Sequence, residues 1–441
     1  MYRNLNSIVE CHAHIYFTTI LCLLVILLAT LPASALEIDP PQDSEPLGLR
    51  LATFDVDATP PIGHKLNYGV MNNSWDLSLR AKGIILFGIG QPVVLLAVDW
   101  IGIANESQDE FKRAIASAAG TVPERIAVHT LHQHDAPVGD IKSDFVIEVT
   151  RRLETAVKYS LGHAQPVTHM GLGTAPVYKV ASNRRIIGPD GFVRKMRYTS
   201  CRDSALRAEP EGLVDPVLSL VSFWNGTNPL AVVSFYAVHP QSYDHTGVAN
   251  PDYPGIARFL RQLAVPDALH VHFNGAGGNL GAGKYNDGSH ENRGVLAERL
   301  ADGMKRAWEA TVREPIITNA AAWLTEPVAL KPNTLKGDDN PYVRRYNAGG
   351  KIDLHCLALG RARILFMPGE LFVEYQLAAK AMRPDLFVAM AAYGDYGPGY
   401  IPTAKAFKEG GYEPGASRVT PQAEEVLMTG IRKFLTQEIS K

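Results

Sequence analysis

The feature that most restricts the fold of this chain is its regular alternation of short, continuous apolar runs with longer amphipathic segments. "PVVLLAVD" (Pro92 to Asp99) has no polar interruption before its closing aspartate, as expected of a strand covered on both faces. "ESQDEFKRAIASAAG" follows with helical spacing, then the strand-like "RIAVHT" and the helical "SDFVIEVTRRLETAVKYSLG". This βαβ rhythm calls for helices packed on a sheet that contains parallel strands. Further on, "DPVLSLVSFW", a turn at "NGTNP" and "LAVVSFYAVH" predict a hairpin, so part of the sheet is antiparallel. The later runs "ALHVHF", "ARILFM" and "DLFVAMAAY" read as strands. "HENRGVLAERLADGMKRAWEATV", "LFVEYQLAAKAM" and "PQAEEVLMTGIRKFLTQEI" read as helices. The expectation is an α/β fold, a mixed β-sheet core flanked by helices in one large domain. No internal repeat is visible, and the polar stretch from Asn333 to Lys351 is expected to be an exposed excursion rather than a linker.

Composition supports a packed core and narrows the partners. Over 441 residues, 46% hydrophobic side chains suffice to fill a large interior. Lys+Arg and Asp+Glu nearly balance at 43 and 45, which leaves no basic excess for a phosphate backbone and argues against nucleic acid. The N-terminus has its own logic: Arg3 precedes the apolar run Ile15 to Leu31, and Ala33-Ser34-Ala35 offers a small-residue cleavage site. Residues 1–35 are therefore expected to be a signal peptide, or an uncleaved anchor, with 36–441 as the exported domain, secreted or periplasmic. Cys11 and Cys22 fall in that leader. Cys201 and Cys356 remain to form one disulfide or to stay buried and free.

Residues capable of chemistry recur where strands should end. "HTLHQHDAP", "VHPQSYDH", "NGAGGNLGAGKYND", "PGE" and "YGDYGPGYIP" each follow an apolar run, and ligands collect outside strand ends in sheets of this kind. His132 and His134, two apart, share one strand face and form a possible metal grip. Gly278, Gly283 and Lys284 satisfy the spacing of a phosphate-binding loop, but Tyr285 stands where Ser or Thr must hold magnesium, and the next helix is delayed. Asp99 either supports the site or initiates a turn. Glu374 is read as a helix-surface or supporting residue, Asp244 and His245 as supporting groups near His239, and His270 and His272 as packed or hydrogen-bonded side chains.

Taken in order, these loops resemble the catalytic domain of the neutral/alkaline non-lysosomal ceramidases, from "FDVDATPPIG" to "YIPTAKAFKEGGYEPG". "HQHDAP" is similar to the family's His-Thr-His-Ser-Gly-Pro and "AVHPQS" to its Ala-Val-His-Pro-Thr-Ser. The resemblance implies one zinc ion on His132, His239, Glu370 of "PGE" and Tyr400 of "GYIPT". Tyr412, twelve residues beyond, would face the substrate carbonyl, and Arg184 of "ASNRR" would be an oxyanion partner. His134 would relay a proton. Two departures stand out: Lys284 occupies about the place of the family's serine, and the sequence stops at Lys441, so the resemblance is expected to be to the shorter bacterial forms without the C-terminal immunoglobulin-like domain.

The chemistry of that residue set is coherent. Zinc takes His nitrogen and carboxylate oxygen, and it lowers the pKa of a bound water toward about 7. Tyrosine, with an ordinary pKa of about 10, becomes a ligand only beside such a dication. With the leader, the resemblance thus implies an exported amide hydrolase acting on ceramide or a related lipid, with possible peripheral membrane contact; no protein partner is inferred. The alternatives are a zinc hydrolase of another amide and a catalytically silent binder on the same scaffold.

Overall fold

The structure is a computed structural model, described over residues 48–74, 76–316, 320–334 and 340–439. The expected leader, its cleavage site and the 35/36 boundary lie outside the described residues. No helix among the described residues is long and apolar enough to cross a membrane.

Three main sheets carry the fold, and each repeats one plan. In the first, β1 (Arg50–Asp57), β2 (Arg80–Phe87) and β3 (Val93–Val98) run antiparallel. Helix α1 (Glu106–Ala119) then crosses to β4 (Ile126–Thr130), parallel to β3, and α2 (Asp144–Leu161) follows. In the second, β5 (His169–Pro176), β6 (Val217–Asn225) and β7 (Asn228–Tyr236) repeat the meander. Helix α3 (Asp252–Ala264) crosses to β8 (Leu269–Asn274), parallel to β7, and α4 (Glu291–Glu309) leads to an edge strand, β9 (Val312–Pro315). In the third, β10 (Ala321–Val328), β11 (Ile352–Leu359) and β12 (Ala362–Phe366) are joined through α5 (Val373–Met382) to the parallel β13 (Phe387–Ala391), and α6 (Ala423–Thr436) closes the chain.

The expected α/β class holds, and the expected hairpin is β6–β7, turning over Gly226-Thr227. Although no repeat is visible in the sequence, the chain folds as three copies of one topology. The copies are invisible in the sequence because the plan constrains only where apolar residues fall. Their connections also differ widely: the loop between the first two strands spans 58–79, 177–216 or 329–351.

Side-chain alternation explains the uninterrupted run of β3. Val93, Leu95 and Ala97 enter a central core shared by all three sheets, while Val94, Leu96 and Val98 pack against Phe111 and Ile115 of α1 and Val149 and Leu153 of α2. At the centre one ring from each repeat meets the other two. His129 of β4 lies 5.8 Å from Phe273 of β8 and 5.4 Å from Phe366 of β12, and those two are 5.8 Å apart. The repeats are also tied by charge: buried Asp99, at the end of β3, accepts both guanidinium N–H groups of Arg258 on α3, at 2.7 and 2.6 Å. Asp99 is thus a joint between repeats. Cys201 and Cys356 are both buried and free.

The stretch from Asn333 to Lys351 departs from the expected exposed excursion. Tyr342 and Val343 are buried on the short helix Pro341–Asn347, and the Tyr342 hydroxyl donates to the Leu330 carbonyl at 2.5 Å. Arg345 pairs with Asp395 and with Asp109, at 2.9 Å from the latter. Arg345 thus faces inward as an ion pair, a pattern that composition alone cannot distinguish from a solvated loop.

His129 gives the core a pH dependence. Burial pushes its imidazole down from an ordinary 6.5 to about 4, despite the hydrogen bond it donates to the Ala392 carbonyl at 2.7 Å. The unfolded chain therefore takes up this proton first, so stability is complete above pH 6.5 and falls as pH drops from 6.5 toward 4. At roughly 1.36 kcal/mol per pKa unit, the loss from this group is on the order of 3 kcal/mol. In denaturant unfolding between pH 7 and 4, wild type should lose about that much more stability than His129→Phe. Parallel pH profiles for the two proteins would refute the assignment.

Candidate metal centre

The parallel pair of each repeat ends at one place, and the loops that leave it carry the reactive groups. His132 and His134 follow β4, His239 follows β7, and Glu370 follows β12. The His132 backbone has φ 62, a region β-carbon sterics disfavour. That turn aims the ring inward, where Nδ1 donates to the Ile101 carbonyl at 2.6 Å. With its proton on Nδ1, the ring presents a bare Nε2 lone pair. That atom lies 3.3 Å from Oε2 of Glu370.

Glu370 is the second fixed point. Its Oε1 accepts the Tyr396 hydroxyl at 2.7 Å, while Oε2 is buried without a hydrogen-bond donor. Burial alone would raise its pKa, but the Tyr396 hydrogen bond and the Arg184 charge help hold it below the ordinary carboxylate value. His239 approaches the same oxygen, with Nδ1 at 3.8 Å, buried and without a partner. Its Nε2 lies 3.0 Å from Nε2 of His134, so one proton sits between those rings.

Two ring nitrogens thus face one carboxylate oxygen, and neither makes a hydrogen bond to it. Lone pairs so arranged repel unless positive charge lies between them, and a divalent cation fits the donor set of imidazole nitrogen and carboxylate oxygen. One ligand atom from each of His132, His134 and His239 also lies within 4.8 Å of the others, all buried. These three side chains can hold a metal ion, with Glu370 beside them.

The remaining expected site residues gather around this centre. Tyr400 sits on a two-residue strand paired in parallel with Glu370. Burial and the Glu370 charge push its phenol well above the ordinary 10, so a phenolate there needs a dication. The buried Arg184 guanidinium lies 5.5 Å from the Tyr400 ring, and Tyr412, half-exposed, packs edge-on to Tyr400 at 5.7 Å. His134 is held neutral: burial first, then the charges of His132 and Arg184, drive its pKa well below 6.5.

Several residues singled out in the sequence do not reach the centre. Lys284 donates to the carbonyls of Arg207 at 2.9 Å and Glu209 at 2.5 Å, so it anchors a neighbouring loop. His272 is satisfied within the second sheet by Ser234 at 2.9 Å and Asn274 at 3.2 Å, and His270 is buried on the same strand. Glu374 accepts from Asn279 at 2.8 Å. Asp244 accepts from Gln241 at 2.6 Å, and the exposed His245 stacks on Tyr68 at 4.4 Å, with Tyr68 in turn 5.7 Å from His134.

The glycine-rich segment serves close approach rather than phosphate binding. A β-carbon on Gly277 would lie 2.2 Å from the Val238 carbonyl oxygen, and one on Gly278 2.3 Å from that of Glu370. These glycines let the loops bearing His239 and Glu370 come within reach of each other. Sequence reasoning missed Tyr393 and Tyr396. Tyr393, at φ 60, stacks on the His132 ring at 4.7 Å. The signal was present in "YGDYGPGY", three tyrosines in eight residues after a strand, but spacing did not say which of them would touch the carboxylate.

Comparison with protein-family models and with curated proteins finds no match. Among solved structures, the chain is similar to the neutral ceramidase of Pseudomonas aeruginosa, with a TM-score of 0.64 and 15% identity over 89% of this chain and 74% of that one. It is equally similar to a ceramidase complexed with C2, with a TM-score of 0.64 and 14% identity over 90% and 76% of the two chains. The likeness is one of fold: this chain shares the α/β architecture of these two structures.

Tyr396 orients Glu370, and removing such a support costs roughly 10–100-fold in metal affinity. Tyr396→Phe should therefore weaken binding of a divalent ion at this centre by about that factor in a chelator competition. Unchanged affinity would mean that Glu370 needs no orienting donor, or that the metal is held elsewhere.

Proposed function

We propose that this chain is an exported, zinc-dependent hydrolase of N-acyl amides, ceramide or a related lipid in the first instance. The observation that carries the reading is the buried, donor-free Oε2 of Glu370 facing His132 and His239 at 3.3 and 3.8 Å. The fold shared with the ceramidases and the gathering of Arg184, Tyr400 and Tyr412 beside this oxygen support it. Export rests on the apolar leader from Ile15 to Leu31.

His132, His239 and Glu370 would hold the ion, with Tyr400 as a further ligand. When bound, zinc supplies a Lewis acid that polarises a carbonyl and acidifies water. Arg184 and Tyr412 hold the carbonyl oxygen as negative charge develops on it, and removing one such donor typically costs about 10²–10³ in kcat. Neutral His134 can accept a proton and deliver it to the leaving amine nitrogen. Lys284 occupies about the family's serine position and is fastened to backbone carbonyls, which favours water over an acyl-enzyme as the route.

The reading is tested by elemental analysis of purified protein together with assays on short- and long-chain N-acyl sphingosines and N-acyl amino acids. About one zinc per chain is expected, absent from His132→Ala and Glu370→Gln, whereas Tyr412→Phe should keep the metal and lose about 10²-fold in kcat. Absence of metal after zinc reconstitution would overturn the mechanism. Full metal with no amide turned over would favour the binding-protein alternative.

A further inference from the structure

Two consecutive arginines near the metal centre share one buried carboxylate. Glu413 is fully buried: Oε2 accepts from Arg185 at 3.0 Å, while Oε1 lies 3.1 Å from the Arg184 guanidinium as a charge contact without a hydrogen bond. Arg185 continues outward to Glu409 at 3.1 Å and to the Ala406 carbonyl at 3.3 Å. The segment running from the helix Ala404–Glu409 to the helix Tyr412–Ala416 is thereby fastened to the hairpin that starts at Arg185. Tyr412 is the neighbour of Glu413, and its ring meets Tyr198 at 6.1 Å and Tyr400 at 5.7 Å.

We propose that Glu413 is a positioning residue that locks Arg184 and Tyr412 into one rigid unit over the metal centre. One carboxylate thus hydrogen-bonds Arg185 and balances the charge of Arg184 from a single side chain, so the two arginines, and with them the two loops, are held in fixed relation. The Arg184 guanidinium is also held by the Gly278 carbonyl, beside the backbone of Glu370. Glu413 therefore sets where both groups on the carbonyl side of the site stand without reaching the centre itself. Glutamine in its place offers one acceptor oxygen and turns an N–H₂ donor toward the other guanidinium.

This inference rests on the amide-hydrolase reading for its kinetic arm only, and a second arm tests the lock by itself. In the full chain, Glu413→Gln should speed trypsin nicking at Lys405 and Lys408 by about tenfold, because the segment opens locally more often. In the kinetic arm, Glu413→Gln should lower kcat at least about tenfold with KM within about threefold, yet change kcat less than about twofold in an Arg184→Ala background. Glu413→Asp, which keeps the charge but withdraws both oxygens, should be intermediate in both arms and serves if the glutamine variant folds poorly. An unchanged nicking rate overturns the lock whatever the kinetics. Faster nicking with the same loss of kcat in both backgrounds overturns the link to Arg184. If wild type turns over no amide, the hydrolase reading fails while the nicking rate still decides the lock.

Discussion

A buried carboxylate oxygen with no hydrogen-bond donor is the constraint on which the structure depends. Oε2 of Glu370 faces ring nitrogens from two other loops, and leaving a buried charge so placed costs several kcal/mol unless a cation lies among them. Each of the three repeats supplies one part of that arrangement: His132 and His134 from the first, His239 from the second and Glu370 from the third. The repetition of one topology is what brings three strand ends to a single point. The central cluster of His129, Phe273 and Phe366 does for the core what the polar cluster does for the site.

Bringing three loops so close has structural costs, and they are visible. His132 and Tyr393 adopt positive φ, a strain of order 1–3 kcal/mol each, at the two positions whose rings stack against one another. Gly277 and Gly278 give up side chains so that backbone can lie against backbone. The surroundings offset this with interactions that reach across repeats, such as the Asp99–Arg258 pair and the bond from the Asn274 amide to the Leu131 carbonyl.

Much of this was legible in the sequence, and the reasons differ from residue to residue. β3 was readable because a strand buried on both faces can hardly carry a polar residue, whereas His132, His239 and Glu370 were singled out by their resemblance to the ceramidase motifs, in loops that follow such strands. Helix α3 was hidden: its first turn, "DYPG", holds a proline, a glycine and Asp252 at φ 50, a composition that reads as a turn. The threefold plan was hidden because apolar patterning fixes burial and not identity. Tyr396 and Glu413 were hidden because their roles arise from contacts with Glu370, Arg184 and Arg185, distant in the chain, and no local spacing encodes those. Arg345 misled in the opposite sense, since a charged residue in a polar stretch looks solvated until its partners Asp109 and Asp395 are seen.

The central claim is that a divalent cation joins the three loops at Glu370. Anomalous scattering from crystals of the zinc-reconstituted protein, recorded on both sides of the zinc edge, tests it directly. The account predicts one strong peak, about 2.0–2.2 Å from Nε2 of His132, a ring nitrogen of His239 and Oε2 of Glu370. No peak there, with Glu370 hydrogen-bonded to a doubly protonated His132, would contradict it and leave the three loops held by a proton instead.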